Sequence, residues 1–357
     1  ALVDEIFKEG KIAGITDTKL AASCLMFLTS HLTQGDASTV VFKVGLQKSI
    51  SLFNFNSRSI MQGAAQSSKL ANMPYTAAGL TGLGQVVGVA DTGIDTKHCM
   101  FSDSNGRVAA KQNPDLTFDS SFRKVIQYNY VSGADQGDSS GGHGSHVAGT
   151  VAGKVQNADI ESSDGMYDGV APDAKLAFVD LVQGAAESST TPDTIDDLYL
   201  PAYTAGARVM TNSWGSEFDS GNGYYTEAET DKWLYEHQDH LVLFAGGNSG
   251  GPSYKQSQQA QAKNVVSIGA TETAAGKIAS MAYFSSVGPA FDGRYKPDIS
   301  SPGHPTQSAN GLSTCGNTGK SGTSMASPGA AGIAAIVRQY FMEKWGDICN
   351  GLAAQSG

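Results

Sequence analysis

Apolar positions come in short uninterrupted runs rather than in alternation with polar ones. Such runs occupy residues 85–90, 176–182, 208–211, 241–245 and 265–268. A strand that is apolar at successive positions must bury both of its faces, which is the condition of a parallel sheet covered by helices on each side. Between and after these runs lie stretches with helical spacing at 143–155, 193–207, 225–237 and 324–343. The alternation of short buried strands with helices predicts an α/β fold with a doubly wound, mostly parallel sheet and helices on both faces. In such sheets the functional crevice lies beyond the carboxyl ends of the strands, so the residues that follow each apolar run are the first to inspect.

The first 54 residues read differently. They predict a helix around 19–32 and a strand at 40–44 and carry no polar cluster with chemical promise. The character changes at Leu52-Phe53-Asn54-Phe55-Asn56-Ser57. We therefore place a boundary there, between segment 1–54 and a domain spanning 55–357.

Three motifs carry chemistry. Val87-Gly88-Val89-Ala90-Asp91-Thr92-Gly93 ends an apolar run on a carboxylate, His143-Gly144-Ser145-His146 opens a helical stretch with an imidazole, and Gly322-Thr323-Ser324-Met325-Ala326 does so with a hydroxyl. A serine hydroxyl needs a base within hydrogen-bond reach, and that base needs a third group to fix its tautomer and stabilise its charged form. Each motif also has a bland reading: a turn aspartate after a strand, a pair of histidines three apart on a helix, a serine at a helix start. The histidine pair lacks a third ligand at zinc spacing. Gly82-Leu83-Gly84 does not make a nucleotide site, because its glycines precede the strand instead of following it.

Together the three motifs resemble the subtilisin-like serine proteases, over a stretch from about residue 54 to about residue 340. The resemblance implies a serine endopeptidase with Asp91, His143 and Ser324 as catalytic residues, in the chain order Asp, His, Ser that is a defining example of this chemistry. It makes His143 the general base and leaves His146 structural. It assigns Asn248, in Leu243-Phe244-Ala245-Gly246-Gly247-Asn248, to the oxyanion hole. It places Ser213, Trp214 and Gly215 on a strand at the cleft edge, where backbone groups would pair with an extended peptide, with residues 181–184 on the second edge. Phe284-Ser285-Ser286-Val287-Gly288-Pro289 and Lys296-Pro297-Asp298 bring the pattern nearest to long bacterial alkaline subtilases that carry a β-barrel after the catalytic domain. Segment 1–54 then corresponds to the end of a propeptide, and the catalytic domain, 55–357, stops short of the barrel. Gln259-Ala260 stands where the family has a Pro-Gly pair near the main specificity pocket, which leaves the side-chain preference open.

Composition narrows the partners. A net charge of −10 argues against nucleic acid or an anionic membrane, and no apolar run approaches the roughly 18 residues of a membrane span. The expected partners are a protein or peptide substrate and the chain's own propeptide, with no cofactor needed for the chemistry. The acidic cluster Asp159, Glu161, Asp164 and Asp168 is a candidate for structural calcium or simply a solvated loop. Of four cysteines, Cys315 pairs with Cys349 or remains a free buried thiol, two readings the spacing does not separate. No Asn-x-Ser/Thr sequon occurs. The family resemblance implies a secreted or vacuolar protein.

Overall fold

A computed structural model of the 357-residue chain describes residues 53–63, 73–113, 115–134, 136–139, 141–156, 165, 167–182, 192, 194–216, 224–251, 256–274 and 276–345. The chain divides after Ser51, and all described residues lie in the second unit, Leu52–Gly357. The helix and strand expected at 19–32 and 40–44 fall outside the described residues.

The unit is built on an eight-stranded sheet. Its strands are β1 (Val86–Asp91), β2 (Ala110–Gln112), β3 (Val125–Tyr130), β4 (Lys175–Asp180), β5 (Val209–Asn212), β6 (Leu241–Ala245), β7 (Val266–Glu272) and β8 (Ile299–His304). They run in the order β2-β3-β4-β1-β5-β6-β7-β8, every neighbouring pair parallel. A hairpin of β9 (Thr306–Ala309) and β10 (Asn317–Lys320) stands apart from the sheet. The helices are α1 (Phe53–Met61), α2 (Pro74–Ala77), α3 (His143–Ala152), α4 (Ile195–Thr204), α5 (Tyr224–Glu236) and α6 (Thr323–Tyr340).

Side chains of successive strand residues point to opposite faces, and here both faces are apolar. Val87, Val89, Leu176 and Phe178 enter one core with Val147 and Val151 of α3 and Ala331 and Ile336 of α6. Ala90, Ala177, Val179, Met210 and Phe244 enter the other with Leu198, Tyr199 and Ala202 of α4 and Trp233 and Leu234 of α5. This double burial is why the strands read as unbroken apolar runs. It also makes the expected doubly wound architecture the observed one.

Three features depart from the sequence expectation. Strand β3, Val-Ile-Gln-Tyr-Asn-Tyr, next to the sheet edge, was hidden because Gln127 and Asn129 are polar yet buried, with their amide N–H groups bonded to Thr117 O, Asn113 Oδ1 and Asp115 O. Residue 54 lies within α1, and Ser57, Arg58 and Ser59 of that helix are buried. Cys315 is bonded to Cys99, with a Cα–Cα separation of 5.0 Å, so it is neither a free thiol nor the partner of Cys349. Two contacts bracket this bond: Cys99 N–H donates to Thr314 O at 2.7 Å, and His98 Nε2 meets Gly316 O at 2.9 Å. The loop before β10 is thereby held against the segment that follows β1.

Candidate active site

The carboxyl end of β1, the centre of the sheet, delivers Asp91, whose side chain is buried. Its Oδ1 accepts from Thr92 N–H at 2.8 Å and faces His143 Nδ1 at 2.6 Å. His143 is the first residue of α3, so its ring stands at a helix mouth beside the strand end. Close approach of the two elements depends on glycine: a methyl group at Gly144 would overlap the carbonyl oxygen of Gly93. Burial disfavours the charged imidazole, but the Asp91 carboxylate outweighs it through charge and hydrogen bond, and His143 titrates above the ordinary histidine value.

His146, three residues on, is fully buried. Its Nε2 lies 3.1 Å from both Thr306 O and Thr318 O, so the ring clips α3 to the β9–β10 hairpin as a neutral side chain. Burial pushes its pKa down to about 3. The structural role expected for this residue is what the geometry supports.

Ser324 occupies the second position of α6, after Gly322 at the N-cap, and is therefore inside the first turn rather than the cap itself. Its hydroxyl donates to Ser213 O at 2.9 Å, and the Ser213 hydroxyl donates back to Ser324 O at 2.9 Å. No hydrogen bond joins Ser324 Oγ to His143 in this arrangement. Catalytic contacts are often formed only when substrate is present, so this does not separate the two functionally. Asn248 follows β6. Its Oδ1 accepts from Thr323 N–H at 2.8 Å and Thr323 Oγ1 at 3.1 Å, which satisfies one of the free donors of the helix start. Both ends of its amide lie close to Gly322, beside the first turn of α6.

A cleft of ≈ 250 Å³ is lined by Asp91, Thr92, His143, Leu181, Val182, Ser213, Trp214 and Gly215; Ser324 and Asn248 are not among its lining residues. Leu181 and Val182 thus form part of the expected second edge, while residues 183–184 fall outside the described residues. Ser213, Trp214 and Gly215 follow β5 and are not part of a strand, contrary to expectation. Trp214 also packs edge-on against Phe244 at 5.3 Å, so it contributes to the core as well as to the cleft. Gln259 lies in a short 3-10 turn, and its Oε1 accepts from Ser216 N–H at 3.0 Å. A glutamine here therefore ties residue 216 to the 3-10 turn where the family pattern has proline. Two residues escaped the sequence reading: Thr92, which lines the cleft, and Asp138, which is bonded to Thr92 and to Ser145 N–H. Both sit in turn-rich segments where Thr and Asp are common, so no pattern set them apart.

The residues 82–350 match the model of the Subtilase family. The chain belongs to the subtilase family. It is 33% identical to the serine protease/ABC transporter B family protein tagD of Dictyostelium discoideum over 74% of this chain, which spans only 19% of that relative. It is 32% identical to subtilisin Savinase of Lederbergia lenta, over 73% of this chain and 78% of the relative. Among solved structures, the S41 psychrophilic protease superposes with a TM-score of 0.51 and 26% identity, over 72% of this chain and 77% of that one. The unit described here carries the subtilase-family domain. Among the described residues no helix is long and apolar enough to cross a membrane, and no group of three or more His, Cys, Asp or Glu side chains is placed to hold a metal ion. Asp159, Glu161 and Asp164 lie outside the described residues. Asp168 is described, and its Oδ1 accepts from Val155 N–H at 3.0 Å.

Proposed function

We propose that this chain hydrolyses peptide bonds through an acyl-enzyme, with Ser324 as nucleophile, His143 as general base and Asp91 as the group that orients it. The observation that carries the reading is the 2.6 Å contact between Asp91 and His143 at the floor of a cleft whose wall, Ser213, is bonded to Ser324. The reaction requires the Ser324 hydroxyl to leave Ser213 O for His143 Nε2, which a χ1 change between staggered wells would provide. The hydroxyl oxygen then adds to the peptide carbonyl while its proton passes to His143. The proton next goes to the leaving amine as the C–N bond breaks. Water repeats the sequence on the ester and restores Ser324. The Asn248 amide and the Ser324 N–H, in the first turn of α6, serve the developing oxyanion.

The substrate is a protein or peptide bound in extended form along residues 213–215, and the chemistry needs no cofactor. Calcium at 159–168 would serve structure only. Segment 1–54 is read as a propeptide and the protein as secreted or vacuolar. A cut near residue 54 requires α1 to leave its helical state first, because a cleft of this kind takes extended chain. The bond from Ser324 Oγ to Ser213 O favours a second reading, a peptide-binding scaffold without turnover. A fluorophosphonate probe distinguishes them: stoichiometric labelling of the wild type that is lost in Ser324→Ala is expected, and an unlabelled, folded wild type would leave the scaffold. N-terminal sequencing of the active protein tests the propeptide, and an active chain still beginning at Ala1 would reject it.

A further inference from the structure

Helix α3 carries His143, yet nothing in its own sequence caps it. The N-cap is Gly142, in the left-handed region with φ 62, and it has no side chain to offer the first turn. The free donors of that turn are satisfied from elsewhere in the chain. Gly144 N–H donates to Thr92 Oγ1 at 2.9 Å, and Ser145 N–H donates to Asp138 Oδ2 at 2.9 Å. The Thr92 hydroxyl in turn donates to Asp138 Oδ1 at 2.9 Å, and Ser139 N–H donates to Thr92 O at 3.0 Å. One carboxylate therefore spans two elements. Oδ1 holds the residue next to Asp91, and Oδ2 holds the turn that begins with His143.

We propose that Asp138 is a positioning residue for the reaction: acting through Thr92 and the first turn of α3, it keeps Asp91 and His143 in register. The inference rests on the reading of His143 as general base. A negative group at a helix N-terminus is favourable in itself, which gives the carboxylate a reason to remain ionised there. Burial opposes this and pushes its pKa up to about 6, with the Ser145 and Thr92 bonds pulling the other way and Asp91 adding repulsion. Its charge also bears on His143, which it makes easier to protonate. The other charged or titratable groups around the two are Asp91 on β1, Asp95 in the loop after it, His146 on α3 and Lys320 on β10, whose Nζ donates to Gly141 O at 2.8 Å and opposes protonation of His143.

Asp138→Asn keeps an oxygen for Ser145 N–H but loses the charge, whereas Asp138→Ala loses both. With the full chain and a chromogenic peptide, Asp138→Ala is expected to lower kcat at least about tenfold with KM unchanged, and Asp138→Asn to recover part of it. In Asp138→Asn the acid limb of kcat/KM should move to lower pH by about half a unit or more, the scale of one carboxylate acting over several ångströms at an effective dielectric near 20. Proton NMR of the His143 ring should show the same displacement. A residue that served stability alone would lower the melting temperature of both variants and leave kcat per folded molecule and the acid limb unmoved, and that result would overturn the proposal. If Asp138→Ala fails to fold, Thr92→Val breaks the same bridge with little change of shape and should lower kcat in the same way; unchanged kcat there also overturns it. A wild type not labelled at Ser324 by a fluorophosphonate would remove the triad reading and this inference together. Labelling with an unmoved acid limb would remove this inference alone.

Discussion

The junction of β1 and α3 can be tested by adding one methyl group. In Gly144→Ala the new Cβ would sit on the carbonyl oxygen of Gly93, well inside the 3.0 Å that such atoms keep, and that neighbour is backbone that cannot rotate away. Relief requires a displacement of about 1 Å between strand end and helix start, in an interior that yields little. Added to the 2.6 Å between Asp91 Oδ1 and His143 Nδ1, it gives about 3.6 Å, at which no hydrogen bond remains. Misplacement on this scale costs about 100-fold in rate. Overpacking adds about 1–3 kcal/mol of lost stability. The assay is kcat/KM on a chromogenic peptide at pH 8 and 25 °C, normalised to folded protein, beside thermal unfolding. Gly106→Ala serves as control: its added methyl meets open space, and although its φ of 95° strains an alanine, which Gly144 inside a helix does not share, it should keep its activity. A folded Gly144→Ala protein within about threefold of wild type would refute the reasoning, because either the contact or the need for it would be absent.

Several other outcomes can be measured. If neutral His143 acts as the proposed base, its raised pKa makes kcat/KM fall as pH drops through a value above 6.5, and Asp91→Asn should shift that limb to lower pH. The stability that His143 gains from Asp91 has the opposite sign, being full below its unfolded value and lost as pH rises through the folded one; urea titrations of wild type against Asp91→Asn across pH 5–9 read it. Asn248→Ala should lower kcat by about 10²–10³ with little change in KM, a magnitude set by subtilisin itself rather than by this geometry. Opening the disulfide by Cys99→Ser should reduce stability by up to roughly 5 kcal/mol in the chain-entropy model, since its ends are 216 residues apart; denaturant unfolding would show it. Burial lowers Lys124 to about 7 against an ordinary 10.5, so the unfolded chain binds the extra proton and stability should rise with pH between those values. Lys124→Met, although it leaves Pro172 O and Ala174 O without their donor, should flatten that slope in urea midpoints taken from pH 7 to 10.

The central strands and the helices that face them were legible because burial on both faces writes itself into unbroken apolar runs. Asp91, His143 and Ser324 were legible because each sits where an element begins or ends, among small residues that permit close approach. Strand β3 was not, since Gln127 and Asn129 are buried with their amide N–H groups bonded to residues 113–117, and a pattern of apolar residues is blind to that. Edge strand β8, with Ser300, Ser301 and Pro302, lacks the run altogether. The partner of Cys315 was invisible for another reason: spacing along the chain says nothing about which loops the sheet order folds together. Thr92 and Asp138 act on the site through the helix start rather than through a reactive group, and residue type does not advertise such a role.

The bond between Cys99 and Cys315 also sets an order of events during synthesis. Cys99 leaves the ribosome 216 residues ahead of its partner, after Asp91 but before His143, Asn248 and Ser324. Cys315 follows His143 and Asn248 and precedes Ser324 by only nine positions, counting from 315 to 324. The covalent closure therefore becomes possible at nearly the moment at which the hydroxyl is added, and every shorter nascent chain has an open loop and no nucleophile. On the proposed chemistry, a growing chain of this kind has no means of cutting itself or its neighbours until residue 324 has emerged.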